Sequence, residues 1–89
     1  MCDDEYAIDL TTAAARDLKA LKNNRTVLES IDRTILALGL NPRPNGVEKL
    51  DGKLHRVRDG EFRVLYEIDD ESRNVLVTRV RNRKDVYKN

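Results

Sequence analysis

Arginine crowds the C-terminal part of this chain, where Arg56, Arg58, Arg63, Arg79, Arg81 and Arg83 are followed by Lys84 and then by Tyr87. A guanidinium keeps its charge at every relevant pH and presents a planar fork of donors that grips phosphate through two hydrogen bonds. Brought together, such side chains suit a polyanion or the charge that develops on a reacting phosphate; dispersed, they are solvated surface. Other chemistry-bearing residues are few. Cys2 is the sole cysteine, has no disulfide partner in the chain, and reads as an incidental thiol ahead of the first patterned segment. No Cys/His group has zinc-site spacing, and the acidic run Asp69-Asp70-Glu71 lacks the ligand pattern of a calcium loop and reads as a solvated turn. Neither a metal nor a cofactor is expected.

Those side chains need a scaffold, and 89 residues with 39% hydrophobic content allow one domain, spanning 1–89, around a modest core. The charged fraction of 37% is high for so short a chain, but with four Gly, two Pro and no low-complexity stretch it reads as a folded domain with a heavily charged surface. The net charge of +1 conceals an asymmetry: residues 1–52 hold 7 Lys/Arg against 9 Asp/Glu, and residues 53–89 hold 10 against 7. A basic half suggests an anionic partner on one face, although a solvated charged surface gives the same count. The first ten residues carry neither a basic leader nor an apolar run, and no segment reaches the length of a membrane span, so a cytoplasmic protein is expected.

The alternation of Tyr6, Ile8 and Leu10 predicts a short strand, and Thr11-Thr12 offers hydroxyls to cap a helix from about Ala13 to Lys22. Leu28, Ile31, Ile35 and Leu38 share one face of a second helix over 25–38, with Gly39 placed as a left-handed stop. The tight link between them predicts a helical hairpin. The run Asn41-Pro42-Arg43-Pro44-Asn45-Gly46 cannot continue a helix and reads as the connector, which leaves Glu48 in an exposed loop. Strands are predicted over 54–58, 62–69 and 75–81 as an antiparallel meander. The fold class is thus α+β, an N-terminal strand and helical hairpin packed on one face of a small antiparallel sheet.

Asp59-Gly60 is a favoured pair for a two-residue type I′ turn, and such a turn would set Arg58 opposite Glu61, Val57 opposite Phe62 and Arg56 opposite Arg63. Alternation then places Val57, Phe62, Val64, Tyr66 and Ile68 on the core face together with His55, which reads as a partly buried histidine rather than a base. Arg56, Arg58 and Arg63 share the open face with Glu61 and Glu67. Two readings stand side by side: a surface network in which the glutamates neutralise the arginines, or a phosphate cradle. The four-residue link before the last strand does not fix its register, so the face of Arg79 and Arg81 is open.

The segment GEFRVLYEIDDE, then VLVTRV and RNRKDVY, resembles the most recognisable stretch of the RelE/ParE superfamily of toxin-antitoxin modules. NPRPNGVEKLDG resembles the connector before that family's strands and TTAAARDLKAL its first helix, so the likeness covers nearly the whole chain. It implies a RelE-like, microbial-ribonuclease-like fold, a cognate antitoxin (RelB-like or other) as tight partner, and mRNA and the ribosome as targets, with no membrane. The activity implied is that of a metal-independent endoribonuclease that cuts mRNA in the ribosomal A site through the RNA's own 2′-hydroxyl. A DNA gyrase inhibitor on the same fold is the alternative. Arg63, Arg83, Tyr87 and Glu48 correspond to catalytic positions; Arg56, Arg58, Arg81 and Lys84 would bind RNA phosphate. The arginine, a few residues and then tyrosine at the C-terminal end are more typical of the ribonuclease branch. Two departures matter: some relatives carry lysine where this chain has Arg56 and Arg58, and Asn82 stands where histidine is frequent. Since arginine cannot act as a base, Glu48, Tyr87 and Lys84 are the candidates for proton transfer.

Overall fold

A computed structural model of the chain describes residues 5–82. After strand β1 (Ala7–Leu10), the Thr11 hydroxyl accepts the Ala14 amide at 3.1 Å and so opens helix α1 (Thr12–Lys19), a turn shorter than its apolar spacing suggests. Asn24 caps helix α2 (Arg25–Leu40) in the same way, accepting from the Val27 amide. α2 turns Ile31, Ile35 and Leu38 inward, and each such side chain contributes roughly 1.5–3 kcal/mol by leaving water. Gly39 does not stop this helix. It lies within α2, buried, because β1 crosses it so closely that a Cβ there would come within 3.0 Å of the Tyr6 carbonyl oxygen and 3.2 Å of Ile8 Cδ1. The Tyr6 amide donates to the Gly39 carbonyl at 2.7 Å across the same contact.

The connector leads into β2 (Glu48–Asp51), a strand not expected from sequence, followed by β3 (Leu54–Asp59), β4 (Phe62–Asp69) and β5 (Asn74–Asn82). The sheet order is β1-β5-β4-β3-β2. The C-terminal strands form the expected antiparallel meander, but β1 joins β5 in parallel, so the sheet is mixed. Both helices pack on one face over a core of Val57, Val64, Tyr66, Ile68, Val75, Val77 and Val80. His55 joins that face, only 5% exposed, stacked on Tyr66 with ring centroids 5.8 Å apart. Burial pushes the Tyr66 phenol up to about 12, and its hydroxyl donates to the Pro42 carbonyl at 2.6 Å, which ties the connector to the sheet.

The β3–β4 register corrects the expectation from Asp59-Gly60. Asp59 pairs with Phe62, so Gly60 and Glu61 form the turn; Arg58 faces Arg63, and Arg56 faces Leu65 rather than Arg63. Gly60 has φ +61 and Glu61 does not share that sign, the pattern of a type II′ turn with glycine first. Helix α2 explains the choice: Ser30 Oγ and Thr34 Oγ1 each donate to the Asp59 carboxylate at 3.0 Å, which holds Asp59 in the strand. The face assignment survives, because moving every partner by two residues keeps each side chain on its side of the pleat.

Candidate phosphate-binding face

The corrected register builds a row of arginines. Arg58 on β3 faces Arg63 on β4, and Arg63 in turn faces Arg81 on β5, so three guanidinium-bearing positions cross the open face side by side. Unit charges about 6 Å apart repel by roughly 0.7 kcal/mol in water and about 3 kcal/mol at an effective dielectric of 20. Among the described residues no carboxylate lies within 4.0 Å of any of the three. Glu61 and Glu67 do not form the neutralising network.

Arg81 reaches this face through a β-bulge. Val75 and Val77 point into the core, and unbroken alternation would bury Arg79 and Arg81 as well. The β4–β5 register shifts between Leu65 and Tyr66, which pair with Arg79 and Val77, so Thr78 is the extra residue. Beyond it Val80 turns inward and Arg79 and Arg81 turn outward. Arg79 does not join the row: its Nε and Nη2 donate to the Asp17 carboxylate at 2.8 and 3.3 Å.

In the adjoining row, Glu48 pairs with Arg56 across β2 and β3. Arg56 donates to Glu48 Oε1 from both Nε, at 2.8 Å, and Nη2. That hydrogen-bonded guanidinium, helped by Arg58 and Arg63, holds the Glu48 carboxyl below its ordinary range. Glu48 is therefore a strand residue on the arginine face and not part of a loop, a placement its short, uniformly exposed segment gave no sign of. Glu48, Arg56, Arg58 and Arg63, with Asn45 and Gly46 of the connector, line a cleft of about 270 Å³. Among the described residues, larger clefts lie elsewhere, two of them beside charged or apolar surface. In one, Arg43, Lys49 and Lys53 meet Asp69, Asp70 and Glu71, and the Arg43–Asp70 pair at 3.0 Å satisfies its own charge. The other, between α2 and the β3–β4 turn, is lined by Val27, Ile31 and Phe62 and offers no cation.

The structure thus brings Arg56, Arg58, Arg63, Arg81 and Glu48 together; Arg83, Lys84 and Tyr87 lie outside the described residues.

The model of the ParE toxin of the type II toxin-antitoxin system parDE matches residues 8–87. The chain belongs to the RelE/ParE toxin superfamily. Toxin RelG of Mycobacterium tuberculosis is 35% identical to the toxin over 89 residues, which cover 93% of this chain and 97% of RelG. Among solved structures, the RelBE2 toxin-antitoxin complex of M. tuberculosis contains a chain with TM-score 0.76 and 30% identity, covering 89% of the toxin and 99% of that chain. The archaeal RelE of the RelE-RelB complex from Pyrococcus horikoshii superposes with TM-score 0.79 at 21% identity, over 89% of the toxin and 96% of that chain. The isolated E. coli RelE toxin gives 0.74 at 20% identity, over 86% and 83%. These likenesses bear out the α+β, RelE-like fold. No helix among the described residues is long and apolar enough to cross a membrane.

Proposed function

We propose that the toxin is a ribosome-dependent endoribonuclease of the cytoplasm that cleaves mRNA in the A site and is held inactive by a cognate antitoxin. The observation that carries this reading is the row Arg58–Arg63–Arg81, which has no ion pair within 4.0 Å among the described residues, beside the Glu48 carboxylate that accepts from Arg56. In the reaction the RNA 2′-oxygen bonds to the adjacent phosphorus and the bond to the 5′-oxygen breaks, leaving a 2′,3′-cyclic phosphate and a 5′-hydroxyl. The arginines stabilise the negative charge that builds on the phosphoryl oxygens. Glu48 accepts the 2′-hydroxyl proton, and the leaving 5′-oxygen takes a proton from an acid supplied by the C-terminal tail, for which Tyr87 and Lys84 are the candidates. Arg83 adds a further donor to the phosphate. Support for an antitoxin comes from family membership and from the toxin-antitoxin complexes among the structural neighbours.

Primer extension on mRNA from a translating extract tests the reading. Cuts inside codons that require ribosomes support it; intact message with DNA damage selects the second reading, gyrase inhibition, which the match to the ParE toxin model favours. Tyr87 sharpens the test. Tyr87→Ala is expected to abolish cleavage with little change in thermal stability; if the ring stacks on a base Tyr87→Phe keeps much of the activity, and if the hydroxyl moves the proton it fails too. Wild-type cleavage by Tyr87→Ala would make the tail structural.

A further inference from the structure

The geometry points to Asp17, on helix α1, as a positioning residue that locks the β5 bulge and thereby holds Arg81 beside Arg63 on the open face. This inference rests on the ribonuclease reading for its kinetic consequence and on the fold alone for its structural one.

β1 runs along the outer edge of β5 only from Asn74 to Val77, and the Thr11 amide, donating to the Val77 carbonyl at 3.0 Å, closes that pairing. Among the described residues no strand lies beside the next stretch of β5 on that edge, yet it is where the extra residue must be kept. Helix α1 takes over. Thr11 Oγ1 donates to the Thr78 carbonyl at 2.8 Å, and Asp17 Oδ2 accepts the Val80 amide at 2.9 Å while also holding Arg79 Nε. On the other edge Thr78 Oγ1 donates to the Leu65 carbonyl at 3.1 Å. The bulge is therefore pinned from both sides, and Asp17 is the charged acceptor among these pins. Its side chain is 19% exposed, so its hydrogen bonds are partly shielded from competing water.

Without Asp17 the Val80 amide loses its acceptor, and the strand end has two ways to respond. Slipping by one residue would restore regular alternation but would drive Arg81 into the apolar core, which a guanidinium cannot accept. The end of β5 frays instead, and Arg81 loses its place opposite Arg63. Arg79, released, is then free to compete for the same phosphate from an unproductive position.

Asp17→Ala and Asp17→Asn are compared with wild type by amide hydrogen exchange, thermal melting and single-turnover cleavage of ribosome-bound mRNA. In Asp17→Ala, Val80 exchange is expected to accelerate at least tenfold while Val64 and Val75 keep their protection, and the cleavage rate to fall about tenfold with KM within threefold of wild type, at a temperature where the variant is fully folded. Asp17→Asn, which keeps an acceptor for the Val80 amide, should fall between. In an Arg81→Ala background Asp17→Ala should cost less than threefold more, because both changes remove the same donor; a generally weakened fold would give additive losses. Unchanged Val80 exchange, unchanged cleavage or full additivity each overturn the proposal. If the wild type does not cleave RNA at all, the ribonuclease reading fails, and selective loss of Val80 protection decides for or against the clamp by itself.

Discussion

Arg63 sits at the centre of its row, with Arg58 on one neighbouring strand and Arg81 on the other, and it is not among the core residues. Arg63→Ala should therefore lower mRNA cleavage ~10²-fold or more while the melting temperature stays near wild type, since a preorganised donor to a developing oxyanion is lost and little buried surface with it. Primer extension and a thermal melt check both halves; an active, folded variant would remove Arg63 from the site. Glu48 yields a pH prediction. Its carboxyl lies below the ordinary value of 4.5, chiefly because Arg56 donates to it, so it stays ionised as pH falls through the usual glutamate range and loses its charge only below it. A base of this kind gives kcat/KM no acidic fall between neutrality and that range. Arg56→Gln removes the main cause of the depression and should bring the acidic limb up toward 4.5. A wild-type limb centred well above that value would assign proton transfer to another group.

At the scale of elements, the crossing of β1 over α2 depends on Gly39. Alanine is favoured over glycine in a helix by about 1 kcal/mol, but a Cβ here would meet the Tyr6 carbonyl at 3.0 Å, and that backbone is itself hydrogen-bonded to Gly39. Backbone cannot swing aside as a side-chain tip can, so strain wins. Gly39→Ala should destabilise the fold by roughly 1–3 kcal/mol, read as a lower midpoint in urea; a stabilised variant would show that β1 yields at little cost. The turn between β3 and β4 follows the same logic. Asp59-Gly60 favours one turn locally, and two hydroxyls on α2 decide for another by holding the Asp59 carboxylate.

Across the whole molecule the open face is divided. Arg58, Arg63 and Arg81 mark one end, whereas further along the strands Asp51, Glu67 and Asp9 alternate with Leu54 and Leu76. A net charge of +1 hides this separation. An acidic segment of the antitoxin should thus be steered to the arginine end, and its association rate should fall about tenfold between low and high salt, with a shallower slope in Arg58→Ser. Stopped-flow mixing at several ionic strengths measures this, and salt-independent rates would argue against electrostatic docking.

What the sequence determined by itself was what repeats along it: the apolar period of α2, the alternation of β3 and β4, and hence which face holds Arg56, Arg58 and Arg63. Side-chain parity is a local property, and it outlasted an error in register. The RelE/ParE likeness was also legible, because its motifs run nearly the length of the chain. Tertiary structure decided the rest. The register came from Ser30 and Thr34, and the role of Gly39 from the approach of β1. Glu48 was fixed on the arginine face by pairing β2 with β3, a strand of four residues with no apolar pattern of its own. Arg81 came to the site through a bulge held by Asp17, 63 positions from the amide it accepts. No local rule reaches so far: the hydrogen bonds by which Thr11 and Asp17 help keep an extra residue in β5 exist only once α1 has docked.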